Sequence, residues 1–106
     1  MYTEGSREEL KKLVFLLCSA EGVAGCEENA AALAEALLRR YTDRISRSPL
    51  GSVTAMLGEG ERCLLLDAHL DQIGLVVTNL LERGFLRFSR CGGIDRRVLI
   101  GKPVVI

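Results

Sequence analysis

A histidine and an aspartate two positions apart, His69 and Asp71, are the residues best suited to chemistry in this chain. His69 is the only histidine, and a run of apolar residues at positions 63–66 precedes it. In a β-strand, residues i and i+2 point to the same face. We therefore expect His69 and Asp71 to project together into one pocket, while Leu70 packs on the opposite side.

The His-x-Asp spacing suits a metal ligand and its partner. A metal-bound imidazole usually donates its second N–H to a carboxylate or carbonyl, which fixes the tautomer and the orientation of the ring. The same spacing also fits a hydrogen-bonded structural histidine, and a metal site needs several ligands. The spacing of His69 and Asp71 alone leaves both interpretations open.

Composition limits the classes of function. The chain has 106 residues, enough for one modest domain, and 48% of them are apolar. Lys+Arg and Asp+Glu both number 14, so the balance favours neither nucleic acid nor an anionic membrane as a partner. Four arginines cluster locally, and the apolar and glycine residues between them favour a solvated face over a phosphate-binding patch. They are Arg87, Arg90, Arg96 and Arg97.

The four cysteines indicate a reducing compartment. Cys18, Cys26, Cys63 and Cys91 are widely separated and lack C-x-x-C spacing, which disfavours a thiolate zinc site and a redox enzyme. We expect no signal peptide and no membrane span, because no apolar run has the required length. The sequence therefore predicts a cytoplasmic protein.

Two helices are predicted in the first part of the chain. Ser6 and Glu9 fit a capping box, and apolar residues then recur at helical spacing. These are Leu10, Leu13, Val14 and Leu17. A second helix is expected over residues 27–41, with Arg39 and Arg40 in the last turn, where the helix dipole favours cations.

Extended segments and turns dominate the rest. Turns are expected at residues 48–51, 58–61 and 82–84. Strands are expected over residues 53–57, 63–68, 73–79, 85–90 and 98–106. The predicted strand at 63–68 opens with the apolar run at 63–66, which is typical of a central strand that is covered on both faces.

Four motifs in order resemble those of one family. Residues 20–27 (AEGVAGCE) resemble its GVSG-x-E motif, residues 49–53 its D-x-x-G-N turn, and residues 67–75 its AHMDEIG motif. Residues 84–88 and 92–101 together resemble the fourth motif, GFLRF…GGIDPRVLLG. The chain resembles the N-terminal part of the glutamyl aminopeptidase family of dinuclear metallopeptidases. These are the tetrahedral aminopeptidases, also labelled endoglucanases or cellulases.

The resemblance implies an α/β fold and a role for each site residue. Residues 1–72 correspond to two helices plus strands of a zinc-peptidase-like catalytic domain. Residues 73–106 correspond to the first strands of a β-rich inserted assembly domain. His69 corresponds to a ligand of one of two divalent metals, zinc or cobalt. Asp71 corresponds to the catalytic aspartate that orients this histidine. Peptides are the implied substrates, and a homo-oligomer is the implied assembly.

The sequence departs from the family pattern in three places. Gln72 stands where the family usually has glutamate, and Ser48 and Ser52 replace residues of the turn motif. The chain ends at Ile106, before the remaining family ligands, and its other aspartates are poor substitutes. We therefore expect an N-terminal fragment of a metal-dependent aminopeptidase that is inactive alone. The alternative is a non-catalytic assembly or binding module in which His69 is vestigial.

Overall fold

Two helices precede two separate β-hairpins in the computed structural model, which describes residues 4–106. Their bounds are α1 Glu4–Ser19, α2 Glu28–Leu38, β1 Ile45–Arg47, β2 Val53–Ala55, β3 Gly74–Leu80 and β4 Leu86–Cys91. Short 3-10 turns occupy Glu82–Gly84 and Arg96–Val98. The predicted α/β class is confirmed. No helix in the described part of the chain is long and apolar enough to cross a membrane.

Helix α1 begins earlier than the capping box predicted. It starts at Glu4, whose carboxylate suits the positive end of the helix dipole. Ser6 therefore lies inside the helix, and its prediction as the N-cap is wrong. Leu17 is half-buried, whereas Leu10 and Val14 remain about half exposed, at 50% and 51%. The apolar stripe of α1 is thus only partly covered within residues 4–106.

Helix α2 carries the best-buried side chains of the described region. Ala30 and Ala31 are each only 1% exposed. A methyl group added at Gly22 would lie 2.8 Å from the Cβ of Ala30, so only glycine allows the preceding connection to approach this closely. The helix ends at Leu38, with Arg39 as its C-cap, three residues before the predicted end.

The hairpin β1–β2 packs near α2, and its first strand was not predicted. Ile45 pairs with Ala55, and Arg47 pairs with Val53. The predicted turn at 48–51 closes this hairpin: the Gly51 N–H donates to the Ser48 carbonyl at 2.9 Å. The predicted turn at 48–51 is therefore a hairpin turn between β1 and β2.

Arg47 fastens this hairpin to α2. Its guanidinium donates to Glu28 at 2.6 Å and to Glu35 at 2.8 Å, and Arg39 donates to Glu35 at 2.5 Å. The hydrogen bonds from Arg39 and then Arg47 hold the pKa of Glu35 below its usual range. This ion-pair cluster sets the position of β1 against α2.

The predicted central strand at residues 63–68 is not formed. Leu64, Leu65 and Leu66 are 83%, 78% and 85% exposed, and Cys63 is exposed as well. A strand requires a neighbour that accepts and donates its ladder hydrogen bonds. Within residues 4–106 no other strand pairs with this run. The apolar sequence is typical of a buried strand. Because no neighbouring strand lies beside it within residues 4–106, no strand forms.

Strands β3 and β4 form the second antiparallel hairpin, close to the predicted bounds. Val77 pairs with Phe88 and Leu80 with Leu86, with a register shift between Val77 and Asn79. These four side chains form one apolar face, which we call the β3–β4 face. The turn contains Arg83 at φ 61°. The strand predicted over 98–106 is wrong, because a 3-10 turn ends at Val98 and residues 102–106 belong to no strand.

The described chain is elongated rather than compact. Its principal extents are 59 × 37 × 20 Å and its radius of gyration is 18.1 Å. A compact domain of this length has a radius of gyration of about 13 Å. The helices and the two hairpins therefore share little common core.

Candidate functional site

His69 and Asp71 contact each other. The Nδ1 atom of His69 lies 3.2 Å from a carboxylate oxygen of Asp71 and 3.1 Å from its backbone carbonyl oxygen. Both oxygens are acceptors, so the neutral imidazole carries its proton on Nδ1. The lone pair of Nε2 is then available to a metal or to a proton donor.

The pocket predicted around His69 and Asp71 is not formed among the described residues. His69 is 85% exposed and Asp71 is 48% exposed at the side chain. Leu70 is half-buried, and its backbone carbonyl lies near Gly22. The segment belongs to no strand. The two polar side chains therefore contact each other on the open surface, while Leu70 is less exposed.

Gln72 attaches this segment to the connection between α1 and α2. Its N–H donates to the Gly22 carbonyl at 2.7 Å, and its carbonyl accepts from the Ala24 N–H at 3.3 Å. Val23 and Gln72 thus form an isolated parallel bridge. No local sequence signal predicts this contact, because Val23 and Gln72 are far apart along the chain.

A close contact next to the bridge completes the attachment. A methyl group added at Gly74 would lie 2.5 Å from Cγ2 of Val23. The Cys91 thiol on β4 lies 3.6 Å from the Ala24 carbonyl. Sequence reasoning missed Val23, Gly74 and Cys91 as positioning residues. They bring the β3–β4 hairpin against the connection that also holds Gln72.

The described residues do not form a complete metal site. His69 fits the role of a single ligand, since Asp71 holds Nδ1 and leaves Nε2 exposed. Across residues 4–106, no three His, Cys, Asp or Glu side chains lie close enough to hold one metal ion. Asp95 is paired with Arg97 at 2.6 Å, and this partner lowers the pKa of its carboxyl. The carboxylate of Asp95 is therefore already engaged by an arginine.

Two arginines of the predicted cluster lie beside β4. Arg90 and Arg96 line an open cavity of about 810 Å³ beside β4, together with Phe88 and Leu99. Arg90 donates to the Ile94 carbonyl at 2.9 Å, and Arg97 is held by Asp95. Arg90 and Arg97 therefore both have partners within the described chain.

Known proteins are similar to the chain in sequence, and a solved structure is similar to it in fold. A protein of Acetivibrio thermocellus, provisionally named an aminopeptidase, is 36% identical over 93 residues, which are 84% of this chain and 28% of that protein. The lysyl aminopeptidase of Pyrococcus furiosus is 29% identical over 98 residues, covering 92% of this chain and 27% of that enzyme.

A solved structure gives the same result. The TET aminopeptidase of a marine sediment Thaumarchaeota archaeon superposes with a TM-score of 0.78 at 29% identity, over 90% of this chain and 27% of that one. The chain thus spans just over a quarter of the length of its relatives.

The family model for M42 glutamyl aminopeptidase matches residues 51–106, which are more than half of the chain and include His69 and Asp71. Because this match agrees with the relatives, the solved structure and the four sequence motifs, the chain belongs to the M42 glutamyl aminopeptidase family.

Proposed function

We propose that this chain contributes part of the active site of an aminopeptidase that uses two divalent metal ions to remove N-terminal residues from peptides. His69 binds one metal through Nε2, and Asp71 is the catalytic aspartate that orients the ring. The contact between His69 Nδ1 and Asp71 carries the proposal, because it fixes the tautomer that a ligand requires. Family membership supports the peptidase class.

When bound, two such metals polarise the scissile carbonyl and lower the pKa of a water molecule. The contribution of this chain to that chemistry is geometric. Asp71 holds the imidazole proton on Nδ1, and Gln72 fixes the segment on which both side chains lie. Zinc and cobalt both accept an imidazole nitrogen, and one ligand does not favour either metal.

The division of the chain is also proposed. Residues 1–72 form part of a catalytic domain, and residues 73–106 form the first strands of an inserted assembly domain that builds a homo-oligomer. The exposed β3–β4 face supports the second part, since Phe88 is 48% and Leu80 75% exposed. The free thiols of all four cysteines support a cytoplasmic location.

The 106-residue chain is expected to be inactive as a peptidase by itself. One imidazole cannot hold two metals, and the described residues add no cluster of three ligands to it. Incubation of the purified chain with short peptides and Zn²⁺ or Co²⁺ tests this expectation. Metal-dependent release of free amino acids would contradict it.

Metal titration tests the role of His69. We expect Co²⁺ to shift the ring NMR signals of the single histidine and to release heat in calorimetry, and His69→Ala to abolish this binding. Cys63→Ser is the matched control, because its thiol is the soft ligand closest along the described segment. Binding that survives His69→Ala but disappears in Cys63→Ser would assign the metal to a thiolate and refute the proposed site.

A non-catalytic assembly or binding module is the second candidate. The observation that favours it is the apolar surface left uncovered, because unpaired strands and exposed apolar faces recruit partners. The mass of the chain in solution discriminates: a well-behaved monomer that also binds metal through His69 counts against this candidate.

A further inference from the structure

The side chain of Gln72 makes a contact that its backbone bridge does not require. Its Nε2 donates to the Cys18 carbonyl at 3.2 Å. Cys18 lies in the last turn of α1, one residue before the helix ends at Ser19. Gln72 is thus joined to α1 itself, in addition to the connection that follows it.

The last turn of a helix needs hydrogen-bond donors. The final four carbonyls of an α-helix have no partner within the helix, and they form the negative end of its dipole. The last turn of α1 contains no basic residue. An amide N–H of Gln72 meets the requirement at Cys18, whereas an ionised carboxylate of similar size could only accept hydrogen bonds and would be repelled.

From these contacts, and resting on the function proposed for His69, we propose that Gln72 is a positioning residue: by donating to the Cys18 carbonyl it locks the segment bearing His69 and Asp71 onto the C-terminal end of α1. Gln72 directly follows Asp71, so any displacement of its backbone moves both oxygens that hold His69 Nδ1. The donated N–H, rather than the bulk of the side chain, performs this role.

Four variants separate donation from size and charge. Gln72→Met keeps a long side chain but removes the donor. Gln72→Glu replaces the donor by a carboxylate, and Gln72→Lys supplies a different donor that suits the end of a helix. Asn79→Asp makes the same amide-to-acid change at an exposed position of β3 and serves as the matched control.

Two measurements on the metal-free 106-residue chain report the result. Hydrogen exchange follows the Gln72 backbone N–H, which is bonded to Gly22. Nitrogen-15 NMR at about pH 8.5, where an imidazole is ordinarily neutral, gives the fraction of the Nδ1–H tautomer. The signal needs no assignment, since His69 is the only histidine.

We expect Gln72→Met to lower the exchange protection by roughly fivefold, the effect of one ordinary hydrogen bond, and to lower the Nδ1–H fraction. Gln72→Glu should lower both further, whereas Gln72→Lys and Asn79→Asp should stay near the native values. Native values in Gln72→Met, or a loss in Gln72→Lys equal to that in Gln72→Met, would overturn the proposal. An equal loss in Asn79→Asp would also overturn it.

The metal-free measurements also keep this proposal distinct from the proposed function. If the Gln72 variants behave as expected while native protein fails to bind metal, the positioning role stands and the metal role of His69 fails. If metal binds through His69 but the tautomer does not respond to Gln72→Met, the positioning role fails alone.

Discussion

The two nitrogens of His69 have different surroundings, and this difference determines what the residue can do. Nδ1 lies against two oxygens of Asp71, while the ring as a whole is 85% exposed. One oxygen belongs to the backbone and persists in any variant of Asp71. The carboxylate adds a second oxygen that accepts from Nδ1 and helps to orient the ring.

Removal of the Asp71 carboxylate should therefore weaken metal binding without abolishing it. We expect Asp71→Ala to lower metal affinity about 10- to 100-fold. Asp71→Asn should have a smaller effect, because its amide oxygen still accepts from Nδ1. Calorimetric titration measures both, with Asp67→Ala as the control at a nearby exposed carboxylate. Equal affinity in native protein and Asp71→Ala would contradict the orienting role.

The Gly74 position tests the attachment next to the site. Gly74→Ala would place a methyl group 2.5 Å from Val23, so we expect a loss of about 1–3 kcal/mol in the free energy of unfolding. Urea denaturation provides the measurement. Gly93→Ala is the control, because a methyl group there meets nothing within 4 Å.

A compensating change identifies the cause of that loss. Val23→Ala removes the two Cγ atoms nearest to the new methyl group, so the double variant should recover part of the lost stability. Simple addition of the two single effects would show that Gly74 and Val23 do not interact.

The sequence predicted the contact between His69 and Asp71 but not the contacts that hold their segment in place. Two-residue spacing places them on one side of an extended segment, and the structure brings them into contact. The contacts of Gln72 with Gly22 and Cys18 could not be predicted in this way. They join distant parts of the chain, and neither a periodic pattern nor residue spacing encodes such contacts.

At the scale of helices and strands, local sequence patterns predicted the elements that form through local interactions. The apolar periodicity indicated α1 and α2, and the turn residues around Arg83 separated β3 from β4. The run at residues 63–68 was misjudged, since apolar content alone does not provide a neighbouring strand. β1 was missed because three residues, Ile45–Arg47, are too short to show alternation.

The ion-pair cluster of Glu35, Arg39 and Arg47 makes the attachment of β1 to α2 depend on pH. Arg39 and Arg47 lower the pKa of Glu35 in the folded protein below its unfolded value. The ionised carboxylate therefore stabilises the fold above the unfolded pKa, about 4.3 for a glutamate. This contribution is lost as the pH falls through the folded pKa.

Glu35→Gln should consequently lower the urea midpoint at neutral pH, and its difference from native protein should vanish in acid. Glu8→Gln is the control, since Glu8 forms an exposed pair with Lys11 one turn along α1, and such pairs contribute little. A constant difference across the whole pH range would show that the carboxylate charge is not the cause.

The whole molecule exposes much of the apolar surface that a compact domain would bury. Its radius of gyration is 18.1 Å, and its large apolar side chains remain accessible on α1, at residues 64–66 and on the β3–β4 face. Burial of such surface is the main favourable contribution to folding and association. The described chain therefore has a strong tendency to gain further contacts.

We expect the purified chain to self-associate at micromolar concentration, with sedimentation equilibrium giving a mass above 11.6 kDa. Phe88→Lys should weaken this association about tenfold, because it removes a large apolar side chain from the β3–β4 face. Leu50→Lys is the control: Leu50 is 94% exposed in the β1–β2 turn, away from that face. Equal weakening by both variants would refute the role of the face.

The bridge between Val23 and Gln72 closes a loop that contains α2 and the whole β1–β2 hairpin. The entropy of closing a flexible loop rises only with the logarithm of its length, by about 0.6 kcal/mol for each doubling. Insertions in the unpaired connection after β2 would therefore weaken the Val23–Gln72 bridge only slightly and would leave the orientation of His69 almost unchanged. We therefore expect the site to tolerate changes in the length of this loop. Its geometry depends instead on the few atoms of Val23 and Gln72 that close the loop.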